Sequence, residues 1–331
     1  MKIYGHQDIL RQLGGFPGRN RVPHSLLFYG NSGVGKTACA VWFAQLLNCE
    51  RPLEQKAEGE TAPCGVCSSC RRIESHNYSG FKIFEPPNQV IKIEQIRELS
   101  QDAQLAPLEG NYKVYLLKKA EFMTSQAANA LLKILEEPPQ KTILILSAAN
   151  TGGIIPTILS RVSKFRFGFL SPAEIREYLP QQLNLEGEEL ELYAQICQGS
   201  PGKARKFHEN PGLLEFRSLI YQYLPRLMSA KPVEILDFSE IAEKDAENAL
   251  DFMLKFYRDL LLVKEELPSS QLFNPDQLER LRQLKGDLSN WQVNNILETL
   301  NEGKKALPLY VNPKLIMHRT LIRIKEISKE V

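Results

Sequence analysis

The chain has 331 residues, 43% of them hydrophobic and 24% charged, with 20 glycines and 20 prolines, which is the balance of a globular protein of two or three domains. A net charge of +2 neither supports nor excludes a nucleic-acid partner, since only a local basic patch would matter, but no run reaches the ~18 apolar residues of a membrane span. The opening residues Met1-Lys2-Ile3-Tyr4-Gly5-His6 lack the apolar stretch of a signal peptide, so no membrane partner and a cytoplasmic location are expected.

Residues 1–24 carry Gly5-His6-Gln7 and then the basic residues Arg19, Arg21 and His24, which read as a solvated approach to the first strand. The β-prone run Ser25 to Tyr29 then enters Gly30-Asn31-Ser32-Gly33-Val34-Gly35-Lys36-Thr37, and the helix-prone run Ala38 to Leu47 leaves it. Strand, glycine-rich turn and helix form the context of a phosphate-binding loop. The glycines let backbone N–H groups converge on one point, at the positive end of the helix. In such a loop Lys36 reaches the terminal phosphates and the Thr37 hydroxyl holds Mg²⁺. Val41, Phe43, Ala44, Leu46 and Leu47 give the helix an apolar face, with Cys39 and Trp42 as packing residues.

From Cys49 to Ser79 the chain changes character, with a polar, aperiodic excursion over Glu50 to Ala62. Four of the six cysteines fall here, as Cys49-x14-Cys64-x2-Cys67-x2-Cys70. In a cytosolic chain such spacing reads as metal before disulfide. Two-residue gaps let thiolates converge on one ion, and four sulfurs fill a tetrahedral Zn²⁺ site with no position left for water, so the zinc would be structural. Four unliganded thiols and an iron–sulfur cluster are the alternatives, and His76 is near enough in sequence to substitute for one ligand.

Short strands are expected at Phe81–Phe84, closed by Pro86-Pro87, at Lys113–Leu117 and at Thr142–Leu146. Between them lie helices beginning at Ile93 and spanning Ser125–Leu135, the latter stopped by Pro138-Pro139. A helical turn over Ile154–Leu159 leads into Ser160-Arg161-Val162. Strands alternating with helices after such a loop imply a parallel sheet covered on both faces. Beyond Phe169 the pattern is helical: a start at Ser171-Pro172, a second helix over Leu190–Cys197, and breaks near Pro211-Gly212, Lys231-Pro232, Leu267-Pro268 and Leu307-Pro308.

Three consecutive segments resemble the clamp-loader branch of the AAA+ ATPases, in particular the bacterial DNA polymerase III gamma/tau and delta-prime subunits. They are the phosphate loop with its four-cysteine insertion, the run Gln126 to Pro139 (QAANALLKILEEPP), and Pro156-Thr157-Ile158-Leu159-Ser160-Arg161. A weaker likeness runs through Leu250–Val263 and Val311–Leu315. The resemblance implies a RecA-like AAA+ α/β P-loop domain over residues 1–168 with a zinc-binding insertion at 49–79, a small helical lid over 169–209, and an all-α C-terminal collar over 210–331 that joins a hetero-pentameric ring.

The same resemblance implies ATP or ADP at residues 30–37, but the family's further working parts are missing. The aspartate and glutamate expected after the strand ending at Leu117 are Lys118 and Lys119, which disfavours Mg²⁺ because an ammonium cannot coordinate a cation. Glu121 lies three residues late, and Glu136-Glu137, at a helix end, read as structural acids. The polar residue expected near the terminal phosphate falls at Ala148 or Ala149, with Ser147 and Asn150 one residue out of step, and the expected lid arginine aligns with Gly202, beside Lys203 and Arg205. Hydrolysis in the chain's own site is therefore not expected.

Arg161, in contrast, is present, and the resemblance makes it an arginine finger acting on a neighbour's ATP. The implied function is that of a delta-prime-type subunit, working with gamma/tau and delta-type subunits, the sliding clamp and primed DNA in DNA replication. Arg97 sits where family members approach the template backbone. An active gamma/tau-type ATPase is the near alternative, and a zinc-containing nucleic-acid-binding module the distant one.

Overall fold

The structure is a computed structural model that describes residues 2–18, 22–51, 53–54, 61–86, 90–228, 230–307 and 312–329. Of the sequence features above, Met1, Arg19, Arg21, Pro52, residues 55–60, Pro87, Pro308 and Val311 lie outside the described residues.

The chain forms α1 (Gln7–Gly18), β1 (Ser25–Tyr29), α2 (Lys36–Asn48), the short pair β2 (Leu53–Glu54) and β3 (Thr61–Ala62), and α3 (Ser68–Glu74). There follow β4 (Phe81–Phe84), α4 (Ile93–Gln104), β5 (Lys113–Leu117), α5 (Ser125–Glu136), β6 (Thr142–Ala148), α6 (Pro156–Leu159) and β7 (Ser163–Arg166). Helices then take over: α7 (Pro172–Leu183), α8 (Gly187–Cys197), α9 (Pro201–Glu209), α10 (Gly212–Tyr223), α11 (Pro232–Ala242), α12 (Ala246–Lys264), α13 (Leu278–Leu284), α14 (Asn290–Ala306) and α15 (Pro313–Ile327). Met1–Gln182 with Gly199–Lys203 form one compact unit, and Leu183–Gln198 with Ala204–Val331 a second.

In the first unit five strands make one parallel sheet in the order β4-β5-β6-β1-β7. Strand β1 lies between β6 and the edge strand β7, with Leu27 registered against Leu146 on one side and Lys164 on the other. Its residues alternate between two cores. Leu26 and Phe28 join α1, α2, Ile73 and Phe165 on one face, while Leu27 joins Ile96, Leu99, Ala127, Leu131 and Ile158 on the other. Burial on both faces is why β1, β5 and β6 are apolar almost throughout.

Helix α2 is buried along its whole length from Cys39 to Asn48, which accounts for its nearly continuous apolar sequence. The approach segment is itself a helix: α1 seats Ile9 and Leu13 in the α2-side core. Among the described residues no helix is long and apolar enough to cross a membrane.

In the second unit α12 packs on α10, α13 and α14, and α15 packs on α11 and α14. One buried polar network fastens the loop before α13. Arg217 on α10 makes a two-pronged bond to Asp276, at 2.9 and 2.8 Å, and donates to Asn274 Oδ1 at 2.8 Å. Tyr221 donates to the same Asn274 oxygen, and the fully buried Asp259 accepts from the backbone N–H groups of Phe273 and Asn274. The charges are tolerated in the core because each finds hydrogen-bonding partners.

Candidate functional site

The phosphate loop leaves the carboxyl end of β1, where the sheet order reverses and where open parallel sheets place ligands. Its first glycine is locked to both neighbouring strands. Gly30 N–H donates to Ala148 O at 3.1 Å, and a Cβ at Gly30 would stand 2.1 Å from Phe167 O. Gly33 and Gly35 hold φ of 77° and 106°, in the region open to glycine. The local sequence therefore folds as expected, into a strand, a tight left-handed turn and a helix start.

Two contacts that the sequence did not announce brace this loop. His6 Nε2 lies 2.7 Å from Val34 O, with its ring edge-on to Phe167. From the other side Gly202 N–H donates to Gly33 O at 2.8 Å and Ser200 Oγ to Ser32 O at 3.2 Å. A Cβ at Gly202 would stand 2.6 Å from Gly33 Cα, so the residue at the expected lid-arginine position must be glycine for this backbone approach.

Lys36 folds back on its own loop, donating to Gly30 O and, at 2.7 Å, to Asn31 O. Burial lowers its pKa to about 8, while the negative charge of Glu121 acts in the opposite direction. The glycines let the loop backbone close against Phe167 and Ser200, and the Lys36 cation is satisfied by carbonyls of its own loop.

The second-motif positions, Lys118 and Lys119, where the resemblance calls for an aspartate and a glutamate, are arranged differently from a simple reading of the sequence. Lys118 points to Glu85, with Nζ 2.7 Å from Oε2. Lys119 adopts a left-handed backbone, φ 56° and ψ 46°, and caps a single 3₁₀ turn over Ala120–Phe122. That turn carries Glu121 back to the end of β6, where Oε1 accepts from Ala149 N–H at 2.8 Å. Ser147 is buried, and Asn150 Oδ1 accepts from Gly152 N–H within its own loop.

Arg161 follows α6 and its side chain is 38% exposed. Its Nη1 donates to Thr157 O at 2.9 Å and to Ser160 Oγ at 3.2 Å, and Nη2 pairs with Glu136 Oε1 at 2.9 Å. Glu136 therefore has a specific partner, 25 residues on, that a helix-end reading alone did not supply. Arg97 is exposed on α4.

The four cysteines of the insertion meet. The sulfurs of Cys49, Cys64, Cys67 and Cys70 all lie within 4.8 Å of one another. Cys49 caps the end of α2, Cys67 caps the start of α3, and Gln45 donates to Cys70 O at 2.8 Å, so two helices fix the cluster. Backbone N–H groups of Cys64, Cys67 and Cys70 donate to the sulfurs of Cys49, Cys64 and Cys67. The N–H groups of Val66 and Cys67 hold the Cys64 thiol down to about 6, whereas burial pushes Cys49 and Cys70 up. Four sulfurs this close are a donor set for one soft, four-coordinate ion, and the cluster can bind a metal. His76 stands apart, its ring 6.1 Å from that of Phe81.

A sequence-family model described as DNA polymerase III, delta subunit, matches residues 5–171, and one described as DNA polymerase III, delta subunit, C terminal, matches residues 212–326. The chain belongs to the bacterial DNA polymerase III clamp-loader subunits of the AAA+ family. Within this family the delta-prime type is the best supported. DNA polymerase III subunit delta′ of Bacillus subtilis is 28% identical over 314 residues, 93% of this chain and 92% of its own length. The delta′ subunit of Pseudomonas aeruginosa is 36% identical over 235 residues, 68% of this chain and 67% of its own. Subunit tau of Escherichia coli is 35% identical over 204 residues, and the clamp-loader chain described here spans only 30% of that relative's length.

Proposed function

We propose that this chain is a delta-prime-type clamp-loader subunit, a largely non-hydrolysing member of a hetero-pentameric ring that completes a neighbour's ATP site with Arg161. The observation that carries this reading is the asymmetry between its two halves of catalytic equipment. Arg161 stands at the surface just after a short, proline-started helix, its guanidinium oriented by three acceptors. The chain's own loop, in contrast, has lysine at both second-motif positions and glycine at the lid position. Phosphoryl transfer depends on placed positive charge and an oriented water, so supplying the arginine while lacking the water-activating acid suits a subunit that acts in trans.

Its partners on this reading are gamma/tau and delta-type subunits, with the sliding clamp and primed DNA reached through the assembly, in the cytoplasm. The loop at residues 30–37 would hold ATP or ADP, the cysteine cluster a structural Zn²⁺, and Arg97 would face the template backbone. Residues 1–168, 169–209 and 210–331 serve as nucleotide-type domain, lid and collar.

The test is Arg161→Ala in the reconstituted complex. Assembly should be unchanged while turnover at the neighbouring site falls by roughly 10³-fold or more, the scale of such arginines in related GTPases. Unchanged turnover by the complex would refute the finger. Steady ATP turnover by the purified chain, abolished by Lys36→Ala, would refute the non-hydrolysing reading.

A further inference from the structure

The most anomalous polar atom near the phosphate loop is Glu121 Oε2, which is buried and has no hydrogen-bond partner. Buried carboxylate oxygens are ordinarily satisfied, and one that is not marks a place where water, an ion or a ligand completes the site. Its position is fixed from several directions. Oε1 is taken by Ala149 N–H, and Ala148, the preceding residue, receives Gly30 N–H, so the carboxylate lies one peptide from the first glycine of the loop.

The turn that carries Glu121 is tied down as well. Ile91 N–H donates to Phe122 O and Thr124 N–H to Ile91 O, both at 3.0 Å. Gly153 leaves room beneath it: a Cβ there would stand 2.7 Å from Glu121 O and 2.9 Å from Glu121 Cβ. Glu121 is close enough for its charge to hold up the pKa of Lys36. Meanwhile Lys118, which occupies the acid's expected position in sequence, is turned to Glu85.

We propose that Glu121 is the acidic group of this nucleotide site and that, with the Thr37 hydroxyl, it holds the divalent cation of a bound nucleotide. This rests on the reading of residues 30–37 as a nucleotide site and goes beyond it: binding by this chain is magnesium-dependent, although Lys118 and Lys119 pointed against the metal. Hard cations take oxygen ligands from one or two side chains plus the phosphates, which is what one free carboxylate oxygen and one hydroxyl can provide. The proposal adds no hydrolysis. Glu121 commits its other oxygen to Ala149, and position 119, where a water-orienting acid would stand, remains a lysine.

The experiment measures ADP and ATP affinity of the full chain by calorimetry, in Mg²⁺ and in EDTA, for the native chain, Glu121→Gln and Lys36→Ala. The amide oxygen of Gln can still accept from Ala149 N–H, so the local fold is kept, and thermal unfolding without nucleotide verifies this. The native chain should bind about tenfold or more tightly in Mg²⁺ than in EDTA, a difference of ~1.4 kcal/mol. Glu121→Gln should lose most of that increment while binding in EDTA as well as the native chain or better, because a negative charge near the phosphates is gone. With ADP present, the native chain should deplete the sharp electron-paramagnetic signal of free Mn²⁺, and Glu121→Gln should leave most of that signal in place.

Equal affinity of the native chain in Mg²⁺ and EDTA would overturn the proposal while leaving the nucleotide site standing. A Glu121→Gln chain weakened equally in both conditions would also overturn it, since that is the mark of a structural role. No binding by the native chain in either condition would remove the nucleotide reading itself, and this proposal with it.

Discussion

Raising the pH from 7.5 to 9 should weaken nucleotide binding by roughly eightfold, and the cause is the resting state of Lys36. With no phosphate present its ammonium is buried against Gly30 O and Asn31 O, and its pKa falls to about 8. A phosphate beside it favours the charged form and restores a high pKa, so binding is accompanied by proton uptake whenever the free lysine is neutral. A group with that pKa is about three-quarters charged at pH 7.5 and about one-tenth charged at pH 9. The ratio corresponds to ~1.2 kcal/mol of binding free energy. The sign is fixed: affinity falls as pH rises through 8 and is level well below it, and the phosphate, already ionised, adds no trend of its own. Calorimetric titration with ADP at constant ionic strength, repeated in buffers of different ionisation enthalpy, measures both the affinity and the proton uptake. Lys36→Arg should bind with no such slope, because a guanidinium stays charged. Constant affinity of the native chain from pH 7.5 to 9.5, with no proton taken up, would refute the reasoning.

Further outcomes follow from other parts of the chain. The purified protein should carry about one zinc per chain by metal analysis, and Cys67→Ser combined with Cys70→Ser should remove it; metal retained in that double variant would dismiss the site. Gly202→Arg, which restores the residue type expected at the lid position, places a Cβ 2.6 Å from Gly33 Cα and breaks the Gly202 N–H to Gly33 O bond. It should cost about 1–3 kcal/mol in thermal unfolding, the usual range for overpacking, and an unchanged Tm would contradict the close approach. Arg217→Met leaves the Asp276 carboxylate, Asn274 and Tyr221 without their shared partner, and urea unfolding should show a loss of about 3–5 kcal/mol in the second unit.

Some features were legible from residues because a single local cause produces them. Ser25–Tyr29 reads as a strand since both of its faces are buried, and residues 30–35 read as a phosphate turn since glycine alone tolerates those backbone angles. The cysteine cluster was legible from spacing because a turn of chain and a helix start bring such neighbours together. Helix α1 was obscured by Gly14-Gly15 and Pro17, which blur its apolar period. Strand β7 was obscured because Ser163 to Arg166 buries only Phe165. Glu121 was hidden for a sharper reason. A lysine in the left-handed region leaves no trace in sequence, yet at Lys119 it reverses the chain and returns an acid to the sheet end. The pairing of Arg161 with Glu136 joins the turn after α6 to the end of α5 and needed the folded sheet to reveal it.

The strand order has a consequence for synthesis of the chain. Strand β1 is made first of the five, yet its two neighbours are β6 and β7, and the nearer in sequence begins only at Thr142. At about 5–20 residues per second, roughly 6–22 s pass on the ribosome before β1 has any edge to pair with. Throughout that interval the apolar β1 has neither of its strand neighbours, and α2 lacks the β6 surface on which it packs. The segment that carries the phosphate loop is therefore the one that waits longest for its partners, and the most dependent on protection during translation.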